Sequence, residues 1–429
     1  MKILKVIVIL IISLAFFSVN LCYGQTEWQT KRKAERELIE KGKEYGSQGK
    51  LKEAKEAFEK AYELYQYLHT DLIWPSESAR HLRIFEYVDQ KKIQPDQAIN
   101  YFKALEYADK EEHDKAIELC TKAIELNPED AYVYFIRAQV YIYFGIPKIN
   151  YEKAVSDYSK AIELDPKNHK FYLDRGMAYR YCLQPDKAMS DYSKAIELNP
   201  KDEGAYIFRA VLYGGRNNEK TIADYSKAIE LNPKNESYYF SRGIIYFLTE
   251  RYEEAIDDFS KALEINPERA ITYSIRGSAY SYNNQFDNAI SDFSRALELE
   301  PNNSRDYTVR GDVYAEMDQL ERAISDYSKA IEINPEDYYP YKRRAENYAK
   351  TGKYEKVIDD YSKVIEINPK DANFNIVPIY INRGDAYEEI GDLKDACSDW
   401  KKAFDLGDRE RWSIVNRIRC LGKLNHRRE

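Results

Sequence analysis

One ten-residue string, Asp-Tyr-Ser-Lys-Ala-Ile-Glu-Leu-Asn-Pro, recurs along the chain with small changes, and its prolines stand at Pro128, Pro166, Pro200, Pro233, Pro267, Pro301, Pro335 and Pro369. Successive gaps are 38, 34, 33, 34, 34, 34 and 34 residues. A ninth copy containing Ala396, Trp400, Ala403 and Leu406 reaches Asp408 where proline would stand. Such a period makes the chain one long array of stacked units, although 429 residues would otherwise suggest two or three domains.

Each unit reads as two helices. In the copy starting at His169, Tyr172, Arg175, Gly176 and Tyr179 follow an i, i+3, i+4, i+7 spacing and share one helical face. Beyond a turn at Gln184 and Pro185, Ala188, Tyr192, Ala195 and Ile196 form the stripe of a second helix, which Asn199 and Pro200 end. The small residues Gly176, Ala188 and Ala195 let the two backbones approach, and the tyrosines fill the wedge between hairpins.

This period and pattern resemble the tetratricopeptide repeat. The resemblance covers Gln97 to Asp408 in nine copies, and a degenerate tenth is visible in Leu38, Gly42, Tyr45, Ala54, Phe58 and Ala61. It implies an all-α fold, an α-solenoid superhelix of about ten helical hairpins. The domain order is then a signal segment over 1–24, the degenerate hairpin over 25–69, a spacer over 70–96 with a helix from Ser76 to Val88, the nine repeats over 97–408, and a capping helix with a basic tail over 409–429. Extra residues near 145–150 and 373–377, and a deletion near Gly214 and Gly215, predict irregular pitch there.

The signal segment rests on Lys2 and Lys5, an apolar run from Val6 to Phe17, and Gly24 ahead of a polar stretch. Cleavage after Gly24 gives an exported, periplasmic or extracellular chain; retention leaves a membrane anchor as the one membrane contact. Leu21 before Cys22 speaks against a lipoprotein. With 65 Lys and Arg against 73 Asp and Glu, net −8, the chain lacks the basic excess of a nucleic-acid binder.

Of 39 tyrosines, 22 hold repeat register and read as packing residues, which removes most of the case for an aromatic ligand platform. A recurring arginine (Arg137, Arg175, Arg209, Arg242, Arg276, Arg310, Arg344, Arg383) and a recurring aspartate (Asp157, Asp191, Asp224, Asp258, Asp292, Asp326, Asp360, Asp399) fit charge pairing between the helices of a hairpin or its neighbour, with an anion-binding ladder as the alternative.

The resemblance also implies a concave groove lined by first-helix residues that follow each seam tyrosine. In the first half of the array these are apolar: Phe135, Ile136, Ile142, Leu173, Met177, Ile207, Phe208, Val211, Phe240, Ile244 and Phe247. In the second half they are polar, among them Ser274, Ser278, Thr308, Asp312, Glu316, Lys342, Arg343, Glu346, Asn382, Asp385 and Glu388. A helix apolar on both faces is usually buried twice, so the apolar row either binds a partner protein or peptide or packs against another part of the chain, the docked N-terminal hairpin being the simplest such cover. Lys342 sits beside Glu346 and Asn382 beside Asp385, which leaves no clamp for a terminal carboxylate.

Cys397 in the last hairpin and Cys420 in the capping helix resemble the cap staple of exported bacterial repeat proteins, and an exported chain permits their oxidation. Spacing alone leaves that disulfide open. No zinc-ligand spacing, phosphate-cradling glycine loop or nucleophile turn occurs, so neither cofactor nor metal is expected, and the hairpins leave no span for a catalytic domain. The sequence therefore reads as a non-catalytic interaction scaffold, with a self-assembling envelope protein, a homo-oligomer, as the second reading. A glycan-acting enzyme using Asp312 and Asp385 is the third.

Overall fold

The computed structural model describes residues 25–68, 103–104, 112–143, 150–367, 374–407 and 420. The signal segment, the spacer helix and all of the capping helix but Cys420 lie outside the described residues.

Every regular element among the described residues is an α-helix. They fall into two compact units, one ending at Ile245 and one beginning at Tyr246, and each is an α-solenoid of helical hairpins. The first unit opens with the hairpin Gln25–Ser47 and Leu51–Leu68 and continues through pairs such as Ala131–Tyr143 with Tyr151–Leu164 and His169–Tyr181 with Pro185–Leu198. The second contains Ala270–Tyr282 with Phe286–Leu299, Ser304–Glu316 with Leu320–Ile333, Tyr338–Lys350 with Tyr354–Ile367, and Val377–Glu389 with Leu393–Asp405.

Local chemistry sets the ends of each helix. Asn168, Asp202, Asn303 and Asp337 cap first helices by accepting from backbone N–H groups two or three residues on. Where it is described, the residue before a repeat proline leaves helical geometry while its N–H still reaches back four residues, as Asn199 does to the Ala195 carbonyl. Several turns inside the described hairpins hold one left-handed residue. Gly352 and Gly391 supply it at no steric cost, whereas Leu183, Glu250, Asn284 and Asp318 adopt φ of 56°, 65°, 58° and 57° in the same place.

The core sits between the two helices of each hairpin. Second-helix aromatics Tyr158, Tyr192, Tyr327, Tyr361, Phe259 and Phe293 are fully buried, with alanines such as Ala188 and Ala195 around them. A Cβ on Gly176 would stand 2.6 Å from the Tyr192 ring, and one on Gly311 2.8 Å from Tyr327. At these two positions the aromatic lies so close across the first helix that an added Cβ would force the ring to shift, whereas Ala138 and Ala345 hold the same register beside the fully buried Tyr158 and Tyr361.

The first-helix tyrosines behave otherwise than the core role that register predicts. Tyr206 and Tyr341 are buried, but Tyr134, Tyr172, Tyr239, Tyr273, Tyr307 and Tyr380 are half-buried. Several lie against the recurring arginine: Arg175 faces the rings of Tyr172 and Tyr179, Arg310 those of Tyr307 and Tyr314, and Arg383 those of Tyr380 and Tyr387. They sheathe a cation with π faces.

Candidate functional site: the first-helix face

Two side-chain systems occupy the first helices: an ionic relay on the flank that meets the second helices, and a row along which successive first helices meet.

In the relay, the recurring arginine grips the aspartate of its own repeat through two parallel hydrogen bonds, seen among the described residues at Arg137, Arg175, Arg209, Arg276, Arg310, Arg344 and Arg383. Arg310 Nε donates to Asp326 Oδ2 at 2.8 Å and Nη2 to Oδ1 at 2.9 Å. The same geometry joins Arg137 to Asp157, Arg175 to Asp191, Arg209 to Asp224, Arg276 to Asp292, Arg344 to Asp360 and Arg383 to Asp399. The remaining nitrogen reaches the previous repeat: Arg310 Nη1 donates to Ser294 Oγ at 2.9 Å, Arg175 to Ser159, Arg276 to Ser260, and Arg137 to Thr121. That serine in turn donates to the carbonyl one turn back, as Ser294 does to Ile290. The Asp-Tyr-Ser string thus supplies a clamp, a core aromatic and an acceptor for the next repeat. Burial raises the Asp292 and Asp360 carboxyl pKa, Arg276 and Arg344 opposing it.

The row between first helices explains where the apolar groove residues go. Phe135, Ile136, Ile142, Leu173, Met177, Ile207, Phe208, Ile244 and Phe247 are all buried, and Val211 and Phe240 are half-buried. This differs from the open groove implied by the sequence. Neighbouring first helices lie side by side, so the residue after one seam tyrosine meets the residue before the next. Phe135 packs on Phe171 with ring centroids 5.0 Å apart and on Tyr158 at 5.7 Å. Phe208 stacks on Tyr192 at 5.7 Å, and Leu173 and Met177 share their cluster. Phe247 meets Tyr252 and Tyr282 edge-on at 5.8 and 5.7 Å. The apolar row is a set of joints between repeats.

Polar members of the row do comparable work. Ser274 Oγ donates to Asp306 Oδ2 at 2.6 Å in the juxtaposition that Phe135 and Phe171 occupy elsewhere. Asp312 accepts from Tyr327 Oη at 2.8 Å, Tyr339 Oη at 3.2 Å and Arg343 Nε at 2.7 Å. Burial opposes the charge on Arg343, but Asp312 beside it outweighs burial and raises its pKa; burial and then the Asp312 charge raise the hydroxyls of Tyr327 and Tyr339. Glu346 accepts from Arg343 Nη1 at 2.8 Å and pairs with Lys342 at 3.8 Å. Asp385 accepts from Trp400 Nε1 at 3.0 Å, and Asn382 donates to Tyr361 Oη at 3.3 Å. The two carboxylates considered for acid–base chemistry are thus internal acceptors. On Ser304–Glu316, Arg305, Thr308, Asp312 and Glu316 share one face, and Arg305 and Glu316 are exposed without an ion pair among the described residues.

Cys397 and Cys420 form a disulfide with Cα atoms 5.8 Å apart, and Cys420 packs with Ala396 and Trp400. Cys120 is buried, which pushes its thiol up to about 12, and Cys182 is half-exposed. Among the described residues no group of three His, Cys, Asp or Glu side chains could hold a metal ion, and no helix is long and apolar enough to cross a membrane.

Among curated proteins none matches the chain significantly. Solved structures do. YrrB, described as a TPR protein with an unusual peptide-binding site, is 30% identical over 42% of this chain and 93% of its own, with a TM-score of 0.37. The C-terminal part of a TPR repeat-containing protein from Cytophaga hutchinsonii is 17% identical over 57% of this chain and 98% of its own, with a TM-score of 0.50. A tetratricopeptide repeat protein from Parabacteroides merdae is 20% identical over 61% and 98%, with a TM-score of 0.41. Two family models, both described as tetratricopeptide repeat, match 169–202, 237–269, 270–303 and 338–371, and 38–67, 97–130, 131–168 and 307–337. Repeats of this kind support protein–protein interaction. The matches take up more than half of the chain, which belongs to the tetratricopeptide repeat family.

Proposed function

We propose that the chain is an exported, non-catalytic scaffold that holds a partner protein or peptide on the inner face of its first helices. One observation carries this reading. Tyrosine, arginine, glycine, aspartate and serine positions repeat because packing and the relay occupy them, whereas the accessible first-helix face changes from repeat to repeat. It offers Arg305 and Glu316 on one helix and Lys342 beside Glu346 on the next. A surface that varies over a constant frame is where an array places specificity. With most of the apolar row taken up by joints, the partner meets a charged row, and half-buried Val211 adds apolar contact in the first unit.

Export is supported by Lys2, Lys5 and the apolar run Val6 to Phe17, and by a disulfide that persists in an oxidising compartment. The test is capture from envelope extract with the chain from Gln25 onward, beside Glu316→Lys and Arg305→Glu. Loss of a captured protein with unchanged helicity and melting supports the inner face; identical capture by all three overturns it. For export, N-terminal sequencing of the native chain is expected to give Gln25, and recovery of the chain in the cytoplasm with its disulfide reduced sinks the assignment.

A further inference from the structure

The joint between Ala270–Tyr282 and Ser304–Glu316 is built on a carboxylate. Asp306 is 4% exposed and Ser274 7% exposed. Asp306 Oδ2 accepts from both Ser274 Oγ at 2.6 Å and Asn303 Nδ2 at 2.9 Å. No arginine grips it: Arg310, one turn on, is spent on Asp326, and the exposed Arg305 is its neighbour in sequence. Glu300, at the end of the preceding second helix, adds a second negative charge. Groups acting on Asp306 are thus Ser274 from one helix, Arg305, Arg310 and the N-terminal turn of its own helix with its cap Asn303, and Glu300 from the third.

We propose that Asp306 is a proton-operated latch on this joint, holding the two first helices together more firmly when its carboxyl is protonated and loosening them as the carboxylate forms. A buried carboxylate without a matched cation is costly, whereas the neutral acid keeps the same partners without charge. Burial holds the carboxyl up to about 6, with the Ser274 hydrogen bond and Arg305 pulling down and Glu300 pushing up. A folded-state value above the ordinary 3.8 means that the native joint binds the extra proton. Its stability is complete below the ordinary carboxylate range and is lost as pH rises through about 6. A carboxyl raised from 3.8 to about 6 changes the opening equilibrium about 100-fold between acid and neutral pH.

The experiment uses the full chain. Carbon-detected NMR of the Asp306 carboxyl is expected to titrate near pH 6, and Glu300→Gln is expected to lower that midpoint. Native-state hydrogen exchange, corrected for intrinsic rates, is expected to show the amides of Ala270–Tyr282 and Ser304–Glu316 opening about 60-fold more readily at pH 7.5 than at pH 4. In Asp306→Asn, a neutral isostere, those amides are expected to keep the acid-like protection at both pH values. A midpoint at or below 4 overturns the latch, as does pH-dependent opening of the same size in Asp306→Asn. The titration needs only the unaltered protein, so misfolding of the variant cannot mask a negative answer.

Discussion

Removing one acceptor from the relay tests whether neighbouring repeats are mechanically linked. Asp326→Ala deletes both oxygens gripped by Arg310 and leaves the guanidinium with Ser294 and two tyrosine faces. The Arg310 and Asp326 side chains are 18% and 9% exposed, so the arginine left behind is a largely buried charge. Breaking such a pair from one side costs about 3–5 kcal/mol, and the residual exposure of Arg310 places this one near about 3 kcal/mol. Ser294→Ala removes one hydrogen bond to a charged donor, about 1.5 kcal/mol. Because both acceptors share one guanidinium across two repeats, the double variant should depart from additivity by at least about 0.5 kcal/mol. An array need not unfold in two states, so local opening by native-state hydrogen exchange is the suitable readout. A loss below about 1 kcal/mol for Asp326→Ala, the range of exposed ion pairs, refutes the buried-clamp account. Additivity within about 0.3 kcal/mol refutes the link between repeats.

Leu183→Gly should stabilise its hairpin by about 0.5–1 kcal/mol in a melting assay, since Leu183 holds φ of 56° while 87% exposed and glycine relieves the strain at little packing loss. Gly176→Ala should destabilise by about 1–2 kcal/mol, because its Cβ would strike the fully buried Tyr192 ring. Gly277→Ala, whose nearest neighbours stand at 3.3 Å, should be close to neutral in the same denaturation series. Reducing Cys397–Cys420, which closes a separation of 23 residues, should loosen the hairpin Val377–Glu389 and Leu393–Asp405 by about 3 kcal/mol, read by hydrogen exchange with and without reductant. Alkylation at pH 8 should modify Cys182 and spare Cys120, whose thiol burial holds at about 12; mass mapping decides.

Hairpins, their order and the in-register arginine and aspartate series were legible because each rests on spacing within one chain segment. Contacts that cross from one repeat to the next were harder. The serine at Ser159, Ser193, Ser226, Ser260, Ser294, Ser328 and Ser362 recurs as faithfully as the aspartate, yet its partner is the arginine 16 residues on, or 21 for Ser362, and nothing within one repeat names it. Its periodicity was the available signal. Helical spacing placed Tyr172, Arg175 and Tyr179 on one face correctly, but a shared face does not say whether the rings meet core or cation. The row from Phe135 to Phe247 was open to two readings because hydrophobic pattern records that a face is covered and not by what; the cover comes from neighbouring first helices, as Phe171 on Phe135, and from second-helix rings, as Tyr192 on Phe208.

The two kinds of joint answer to different variables. Phe135 against Phe171 is an apolar contact, whose strength falls on cooling and is indifferent to protons. Ser274 against Asp306 buries little apolar area and carries a titratable group, so its strength follows pH and depends less on the hydrophobic effect. Relay geometry is the same around both, with Arg137 on Asp157 and Thr121 in one place and Arg310 on Asp326 and Ser294 in the other. The relay therefore fixes how each hairpin closes and how it addresses the one before it. The residue pair flanking the seam tyrosines sets the chemistry of the contact between neighbouring first helices, and an exchange of that pair alone, Ser274→Phe with Asp306→Phe, is the change that would transfer apolar behaviour to this joint.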